Sequence, residues 1–366
     1  MQKKLIALAI AGAFAAPAFA ASSNVDVYGL IHFAIEDNDK ANVDPQVTDR
    51  VSRIGFKGSE DLGGGLKAIW QIEQQINATS SAFEKQDTAA ATSAWETSNG
   101  AFGGAGLRNT FVGLSGGFGT VLMGRHDTPY KIGSGSLDIM ADSIGDYNSI
   151  QGVALVDAVH DYRSPQAIAY ISPNLAGFTV AVAGIATNSG PWVHAGRGTL
   201  DVGNLDNGDT IDATSATIMY SNGPLFASLG YQDVNLADSQ AWKAAVSYTL
   251  GDATIGALYE NVDKSVQGLS GAAASVGAAD RDSWLVNVKY NLGAITLKGI
   301  YGQASIDAYT VGLVTTAKKD QKAWVLDADY NFSKRTTAYV AYSSSDNGAA
   351  VSSDVSGWAV GMKHSF

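Results

Sequence analysis

The 366-residue chain contains no cysteine and only seven prolines. Nucleophilic catalysis by cysteine is therefore excluded, and disulfides cannot be what stabilises the fold. After the first twenty residues no run of about eighteen apolar residues occurs, which excludes membrane-spanning helices. Basic residues are also scarce, with 24 Lys and Arg against 35 Asp and Glu. This acidic balance argues against nucleic-acid binding, because the phosphates would be repelled.

The first twenty residues have the three parts of a secretory signal peptide. Lys3 and Lys4 give a positive start, residues 5–14 form a short apolar stretch, and Ala18-Phe19-Ala20 is a small-x-small cleavage site. We expect cleavage after Ala20, so that residues 1–20 are removed and residues 21–366 form one mature domain. The pattern predicts an exported protein.

The rest of the chain alternates short turns with long polar segments. Short breaks rich in Gly, Asn, Asp and Pro favour hairpin turns, because these residues tolerate or pre-set the dihedral angles of tight turns. Seven such turns lie at 61–65, 115–117, 172–174, 221–224, 251–252, 291–293 and 331–334. Eight longer segments lie at 37–50, 78–106, 128–162, 188–211, 235–239, 264–281, 305–319 and 345–354. These fifteen connections predict roughly sixteen strands.

The runs between the connections have two different faces, as β-strands do. From Trp242 to Leu250, bulky apolar residues alternate with small or polar ones, and aromatic residues stand near both ends of the apolar face. The final run, from Trp358 to Phe366, keeps this alternation to the last residue. Such runs fit strands that have lipid on one side and water on the other, bracketed by aromatic girdles. We therefore predict an all-β fold, a 16-stranded antiparallel transmembrane β-barrel with short periplasmic turns and long external loops.

An exported soluble β-protein, either a sandwich or a β-helix with one wet face, is the alternative. Sandwiches rarely alternate very short and very long loops so regularly, and aromatic residues do not bracket their apolar faces. An even number of strands places both chain ends on the side of the short turns. Sixteen strands also enclose an aqueous channel, whereas side chains fill the interior of an eight-stranded barrel.

Five stretches carry a resemblance to a known family. They are Val27-Tyr28-Gly29, the segment 52–73, the segment 108–125, the segment 170–178 and the closing Val360-Gly-Met-Lys-His-Ser-Phe366. Through them the mature chain resembles the general porins of Gram-negative outer membranes, particularly the β-proteobacterial branch. The resemblance implies a homotrimer without a cofactor, a passive diffusion channel embedded in outer-membrane lipid and lipopolysaccharide, with an inward-folded third loop. It also implies that the strand ending in Phe366 is the signal read by the barrel-insertion machinery.

Segment 128–162 is the longest connection and the third external loop, so it corresponds to the family's constriction loop. Its candidate acids are Asp138, Asp142 and Asp146, followed by Asp157 and Asp161. Lys131 is the one Lys or Arg residue of the loop, and His126 and His160 flank it in the sequence. Acids on an inward-folded loop that face basic residues on the wall would set a transverse field, and constrictions of this kind decide ion selectivity.

The basic side of the constriction is predicted from strand parity. Arg53 and Lys57 lie on the inward face of strand two, and Lys67 on the inward face of strand three. Arg125 ends the fifth strand and Arg163 begins the sixth. A charge that faced lipid at mid-depth would cost about 2–4 kcal/mol, which favours the inward placement. The resemblance implies an arginine cluster on the wall, and we assign that role to Arg53, Arg125 and Arg163.

Other interpretations of these charges stay open. Arg50 and Arg108 lie nearer the rims and are weaker candidates for the wall. Any of the basic residues could instead be a solvated rim charge or the structural partner of a loop carboxylate. Pro165 cannot donate to a strand ladder, so strand six is expected to start late or to bulge.

Enzymatic and metal-binding functions find little support. The five histidines lack metal-ligand spacing, no Gly-x-Ser-x-Gly elbow occurs, and the acidic run 201–212 does not match an EF-hand loop. We expect no enzyme activity, no metal and no cofactor. The predicted function is an outer-membrane channel for ions and small hydrophilic solutes. A substrate-specific channel and an adhesion or structural barrel are the alternatives, and net charge does not decide between anions and cations.

Overall fold

The computed structural model describes residues 24–39, 44–76, 78–79, 106–158, 160–186, 193–195, 198–200, 211–235, 239–267, 277–311, 314–348 and 354–366. The signal peptide predicted for residues 1–20 lies outside these ranges and stays a prediction. Within the described ranges, no helix is both long enough and apolar enough to cross a membrane.

Sixteen strands form the wall, and we number them β1 to β16 in chain order. Strand β2 consists of two segments, Gln46–Asp49 and Arg53–Gly63. The first strands are β1 (Asn24–Asn38), β3 (Leu66–Gln75), β4 (Leu107–Gly116), β5 (Gly119–Asp127), β6 (Arg163–Ile171), β7 (Phe178–Ile185) and β8 (Ala213–Asn222). The remaining strands are β9 (Leu225–Val234), β10 (Ser239–Leu250), β11 (Ala253–Gln267), β12 (Gly277–Leu292), β13 (Ile295–Ile306), β14 (Lys319–Asn331), β15 (Thr336–Asp346) and β16 (Val355–Ser365).

The wall closes between its first and last strands. Leu30–Asn38 of β1 pairs antiparallel with Gly357–Ser365 of β16. The last residue extends this ladder, because the Phe366 N–H donates to the Gly29 carbonyl and the Gly29 N–H donates to the Phe366 carbonyl, each at 3.2 Å. Closure removes the unpaired edges that a bilayer cannot satisfy. The predicted sixteen-stranded antiparallel barrel is confirmed.

Short and long connections alternate around the barrel as the turn signals indicate. Two of the tight hairpins turn at Gly223 and Gly251, whose φ angles of 56° and 59° lie in the left-handed region that favours glycine. Residues 128–162 connect β5 to β6, with the bounds that the sequence predicts.

The bulge expected near Pro165 is also present. The pairing of β5 with β6 shifts register between Gly124 and His126, and Gln166 has a φ of 55°. One extra residue on β6 places Pro165, which has no N–H to donate, within the bulge. The ladder resumes at Ala167.

An aromatic band covers half of the outward surface near the external ends of the strands. Each of β9 to β16 contributes one exposed side chain, in order Tyr231, Trp242, Tyr259, Trp284, Tyr301, Trp324, Tyr342 and Trp358. Adjacent rings make tilted contacts or lie opposite each other in the strand register; the Trp242 and Tyr259 centroids, for example, are 5.3 Å apart. Among the described residues, the external ends of β1 to β8 place no Trp or Tyr on the outward face. Since aromatic girdles mark the lipid–water boundary, β9 to β16 face lipid at this level.

Residues 128–162, which we call the inner loop, lie inside the barrel. The loop contains a short helix, α1 (Pro129–Ile132), and one turn of 3₁₀-helix at Gly135–Leu137. Its apolar side chains pack against small and apolar inward-facing residues of β10 to β14. The loop side of this cluster is Leu137, Met140, Tyr147, Ile150, Val153, Leu155 and Val156. The wall side is Ala245, Leu258, Leu285, Ile300, Ala323 and Val325.

Candidate functional site

Two buried carboxylates fasten the inner loop to the wall of β10 to β12. The first is Asp161, at the end of the loop. One of its oxygens accepts from Lys243 Nζ of β10 at 2.6 Å, and the other accepts from Lys131 Nζ at 2.9 Å and from the Tyr147 hydroxyl at 3.1 Å. The Lys243 ammonium also lies 4.0 Å from the centroid of the Tyr130 ring. Both charges of the buried pair are thus compensated, as burial requires.

The second of the two carboxylates is Glu260 of β11. It accepts from the Tyr130 hydroxyl at 2.9 Å, from the backbone N–H of Asp157 at 2.7 Å and from the Arg281 guanidinium of β12 at 2.7 Å. Arg281 in turn donates to the carbonyl of Ala154 in the loop. The wall therefore holds backbone and side chains at both ends of the loop. We call Lys243, Glu260, Arg281 and Asp161 the latch.

Burial and charge set the protonation of Asp161 in the latch and of His160 beside it. Burial alone would raise the pKa of Asp161, but Lys131 and Lys243 hold it well below its usual range, so the carboxylate is ionised. Burial lowers the pKa of His160 to about 4, so its imidazole is neutral near pH 7. The His160 ring is paired with the Ser239 hydroxyl at 2.9 Å from Nε2. The latch is therefore a network of satisfied groups rather than a reactive centre.

Across the lumen, Asp142 connects the inner loop to the opposite wall. The Arg53 guanidinium of β2 donates to Asp142 Oδ2 at 2.7 Å, and both side chains are about a fifth exposed, at 22% each. Arg53 also donates to the carbonyl of Val51, at the break in β2 where φ is 60°. The structure thus brings together one predicted wall arginine and one predicted loop acid.

A group of arginines lines the wall from β2 to β6. Arg163 pairs with Asp127 at 3.0 Å and donates from Nε to Asn109 Oδ1 at 2.6 Å. Arg125 lies within electrostatic range of both Arg163 and Asp127, and it makes no hydrogen bond or ion pair with the residues that the structure describes. The two arginines predicted to flank the loop are therefore neighbours.

Arg108 and Arg50, the weaker candidates, have structural partners. Arg108 pairs with Glu73 of β3, which also accepts from the Tyr28 hydroxyl at 3.0 Å. Arg108 and Glu73 are in turn within electrostatic range of Arg163, so Arg108 belongs to the arginine group.

Arg50 pairs with Glu36 of β1 and braces the break in β2. For Arg50, this contact agrees with the interpretation of a rim charge paired to a carboxylate.

The two predicted wall lysines lie away from the inner loop. Lys57 is opposite Asp26, with its ammonium 5.3 Å from the centroid of the Tyr28 ring. Lys67 lies opposite Asp61 in the strand register, beside the turn that joins β2 to β3. Arg53 is opposite position 75, eight residues along β3 from Lys67, which is about 26 Å at 3.3 Å per residue. The structure therefore does not bring Lys67 to the constriction.

Asp138 and Asp146, predicted with Asp142 as the acids of the constriction, face the loop itself. Asp146 accepts from the backbone N–H groups of Asn148 at 2.9 Å and Asp142 at 3.2 Å, which closes a tight turn. Asp138 accepts from the backbone N–H of Tyr147, while its other carboxylate oxygen is buried without a hydrogen-bond partner among the described residues. Burial raises the pKa of Asp138 well above its usual range, which favours the neutral form of this acid. Of the three, Asp142 is the acid that reaches the wall.

The wall side of the latch was not predicted from the sequence. Lys243 and Arg281 lie in mid-strand on the inward face, and Glu260 shares the inward parity of Leu258 on β11. The sequence signal for these wall residues is a charged side chain in mid-strand, which must face the lumen because facing lipid is costly. Its partner could not be assigned, because the spacing of residues in a loop does not show which wall the loop meets.

Phe366, predicted as the assembly signal, lies on the outward face. Its ring covers the backbone at Gly29, where an added Cβ would come within 2.4 Å of the ring, and 43% of the residue is exposed. The glycine is required there because any side chain would displace the closing aromatic.

Comparison with known proteins gives consistent results. A family model described as Gram-negative porin matches residues 7–350. The major outer membrane protein P.IB of Neisseria meningitidis serogroup B is 29% identical over 397 residues, covering 100% of both chains. The anion-selective porin from Comamonas acidovorans superposes with a TM-score of 0.65 at 20% identity, covering 94% of this chain and 100% of that one. OmpT of Vibrio cholerae, in its trimer form, superposes with a TM-score of 0.61 at 14% identity, covering 94% and 99%.

The latch makes a testable prediction about loop docking. Replacing Glu260 by Gln leaves Arg281 buried without its counter-charge, and breaking a buried pair in this way costs about 3–5 kcal/mol. We expect faster proteolytic cleavage within residues 128–162 and noisier open-channel current. The double variant Glu260→Gln with Arg281→Gln should recover part of the protection. Asp307→Asn, which breaks the exposed ion pair with Lys318 in the connection between β13 and β14, is the control. An unchanged cleavage rate in Glu260→Gln would mean that apolar packing alone holds the loop.

A second prediction concerns pH. The pKa of Asp138 is raised in the docked loop, so docking is strongest at low pH. It weakens as pH rises from about 4 towards the raised value, by at most about 1.4 kcal/mol per pH unit. Asp138→Asn should remove this part of the pH dependence and protect the loop at neutral and alkaline pH. Cleavage rates of the two proteins between pH 4 and pH 9 measure the difference. Identical pH profiles would show that Asp138 is ionised in the docked loop.

Proposed function

The chain belongs to the Gram-negative porin family and forms a channel in the outer membrane, and from this premise we propose a passive diffusion pore that prefers anions. The observation that carries the proposal is the contact between Asp142 and Arg53. It joins a loop latched to β10 to β12 with the wall of β2, so solutes must pass beside it. Steric exclusion at this point limits passage to ions and small hydrophilic solutes.

The charges around the contact favour anions. The arginine group contributes four cations, and three acids are paired with or next to them; the cations are Arg53, Arg108, Arg125 and Arg163, and the acids are Glu73, Asp127 and Asp142. The local balance is therefore one positive charge. Asp138 and Asp146 are turned into the loop, where burial raises the pKa of both acids and so weakens the negative charge that they add. Fixed charges at a constriction act on a permeating ion more strongly than distant loop charge, which salt screens.

A preference for anions is also what the name of the structurally similar Comamonas porin states for that protein. For this chain the proposal rests on the charge balance of its own wall. A channel with a saturable site for one solute remains the second candidate, favoured by the unpaired Arg125.

We propose in addition that the protein is a homotrimer whose contacts involve the face of β1 to β8. The outward aromatic band stops at β9 and at β16, so the other half of the surface does not follow the pattern of a lipid–water boundary. That half carries exposed aliphatic side chains instead, among them Val27 and Ile31. Second copies of this chain are the protein available to cover it, and the Vibrio OmpT structure is described as a trimer.

The remaining partners follow from the same surfaces. The aromatic band suits outer-membrane lipid and lipopolysaccharide, and the strand that ends in Phe366 suits recognition by the barrel-insertion machinery before β1 covers it.

Planar-bilayer recording tests the channel and its selectivity. We expect stepwise conductance and, in a KCl gradient, a reversal potential on the chloride side. Arg53→Ala should shift this potential towards potassium, and Asp142→Ala should shift it further towards chloride, because each removes one charge of the central pair. Absence of conductance steps would refute the pore, and a potassium-side reversal potential would refute anion preference. Saturable block by one sugar or anion would favour the substrate-specific channel.

The trimer face can be tested with single cysteines, because the chain has none of its own. Val27→Cys on β1 should cross-link copies in the membrane with a short bifunctional maleimide. Val286→Cys on β12, an outward valine on the banded half, should not. Cross-linking at Val286 and none at Val27 would place the contact on the opposite face.

A further inference from the structure

Lys363 stands apart among the cations of the lumen. It lies on β16 between His32 of β1 and Thr337 of β15, on the inward side of the wall. The side chain is only partly buried. Its ammonium makes no ion pair or hydrogen bond with any residue in the part of the chain that the structure describes, and it is not one of the buried unsatisfied groups. Lys363 therefore presents its charge to the water of the lumen.

The surrounding charges place Lys363 beside the constriction. It lies within electrostatic range of Asp142, the loop acid that contacts Arg53. It is also within range of Lys298, Asp327 and Asp329, a cluster on β13 and β14. His32, its neighbour across the strand pair, is within range of Arg53 and Asp142 as well. The ammonium thus lies between the Arg53–Asp142 ion pair and the cluster of Lys298, Asp327 and Asp329, whose charges pair with one another.

Most neighbouring cations are neutralised at close range. Arg53 is 2.7 Å from Asp142, and Arg163 is 3.0 Å from Asp127. Lys298 is shared by two acids, at 3.0 Å from Asp327 and 2.6 Å from Asp329. A paired cation presents a dipole to a passing ion, and its field falls off faster than that of a free charge. Arg125 is also unpaired, but its Nε is buried away from water beside Asp127.

We propose that Lys363 is a specificity-determining residue of the channel, a partly exposed and unpaired ammonium beside the Arg53–Asp142 contact that attracts small anions into the narrow part of the lumen. This inference rests on the proposed function as an anion-preferring pore. The class of ligand is a small hydrated anion such as chloride, phosphate or a short carboxylate. The binding is weak and transient, since one ammonium in contact with water raises the local concentration of an anion only about fivefold. Weak attraction of this kind increases entry without trapping the ion.

Reversal potentials of Lys363 variants test the proposal. In a KCl gradient, Lys363→Gln should lower the chloride-to-potassium permeability ratio about twofold to fivefold. Lys363→Glu should lower it further, and Lys363→Arg should keep the wild-type ratio. The matched control is Lys289→Gln, which removes an inward lysine near the periplasmic turn of β12, where a smaller shift is expected. A conducting Lys363→Gln channel with the wild-type ratio would overturn the proposal.

A second measurement compares one folded channel before and after chemical modification, so the result does not depend on how a substitution affects the folding of β16. Lys363→Cys provides one thiol in a chain that has no other. A cationic thiol reagent added to an open channel should restore the chloride preference, and an anionic reagent of similar size should reverse it. Equal effects of both reagents would show steric block, and no effect would show that the position does not face the lumen; either result refutes the assignment. If the wild-type protein gave no conductance, the pore itself would fail, which is a different outcome from unchanged selectivity in a conducting variant.

Discussion

The rest of this structure depends on the requirement that no backbone N–H or C=O remain unpaired within the hydrocarbon of a bilayer. A strand wall can meet it only by closing, and here closure occurs between β1 and β16, with hydrogen bonds continued to the terminal residue Phe366. Closure with sixteen strands leaves an interior too wide for wall side chains to fill. That space is what allows a 35-residue loop to fold inward, from 128 to 162, and still leave water beside it.

Two kinds of contact with different effects hold the inner loop. Apolar packing on β10 to β14 buries the hydrophobic side chains of the loop, whereas the latch determines which wall the loop meets. Buried ion pairs often contribute little net stability, but an uncompensated buried charge is costly, so the latch acts mainly against wrong positions of the loop. With the loop fixed to one side, Asp142 is the loop acid that reaches Arg53 on the other. The electrostatics of the passage therefore follow from how the loop is anchored.

Several features of the barrel and of its site could be predicted from sequence, and the reason is local in each case. Turn residues such as those around Gly223 and Gly251 require particular φ angles, so the strand count followed from them. Pro165 lacks a donor, so the bulge in β6 could be anticipated. Arg53, Arg125 and Arg163 could be placed inward because charge in lipid is expensive. The alternation of faces along a strand does not show how deep in the barrel a residue lies, however. Lys67 is on the inward face but lies about 26 Å from the level of Arg53.

The sequence by itself determined the class of wall, its strand number, which faces meet lipid and water, and which loop is long enough to enter the lumen. These properties depend on period-two patterning and on turn chemistry, both of which act over a few residues. The tertiary structure decided that Asp138 and Asp146 turn into the loop, that Glu260 and Arg281 receive it, and that Lys363 is left without a partner. Glu260 and Arg281, for example, meet loop residues 103 and 127 positions away along the chain. Only the closed geometry of the barrel determines which of them are within reach.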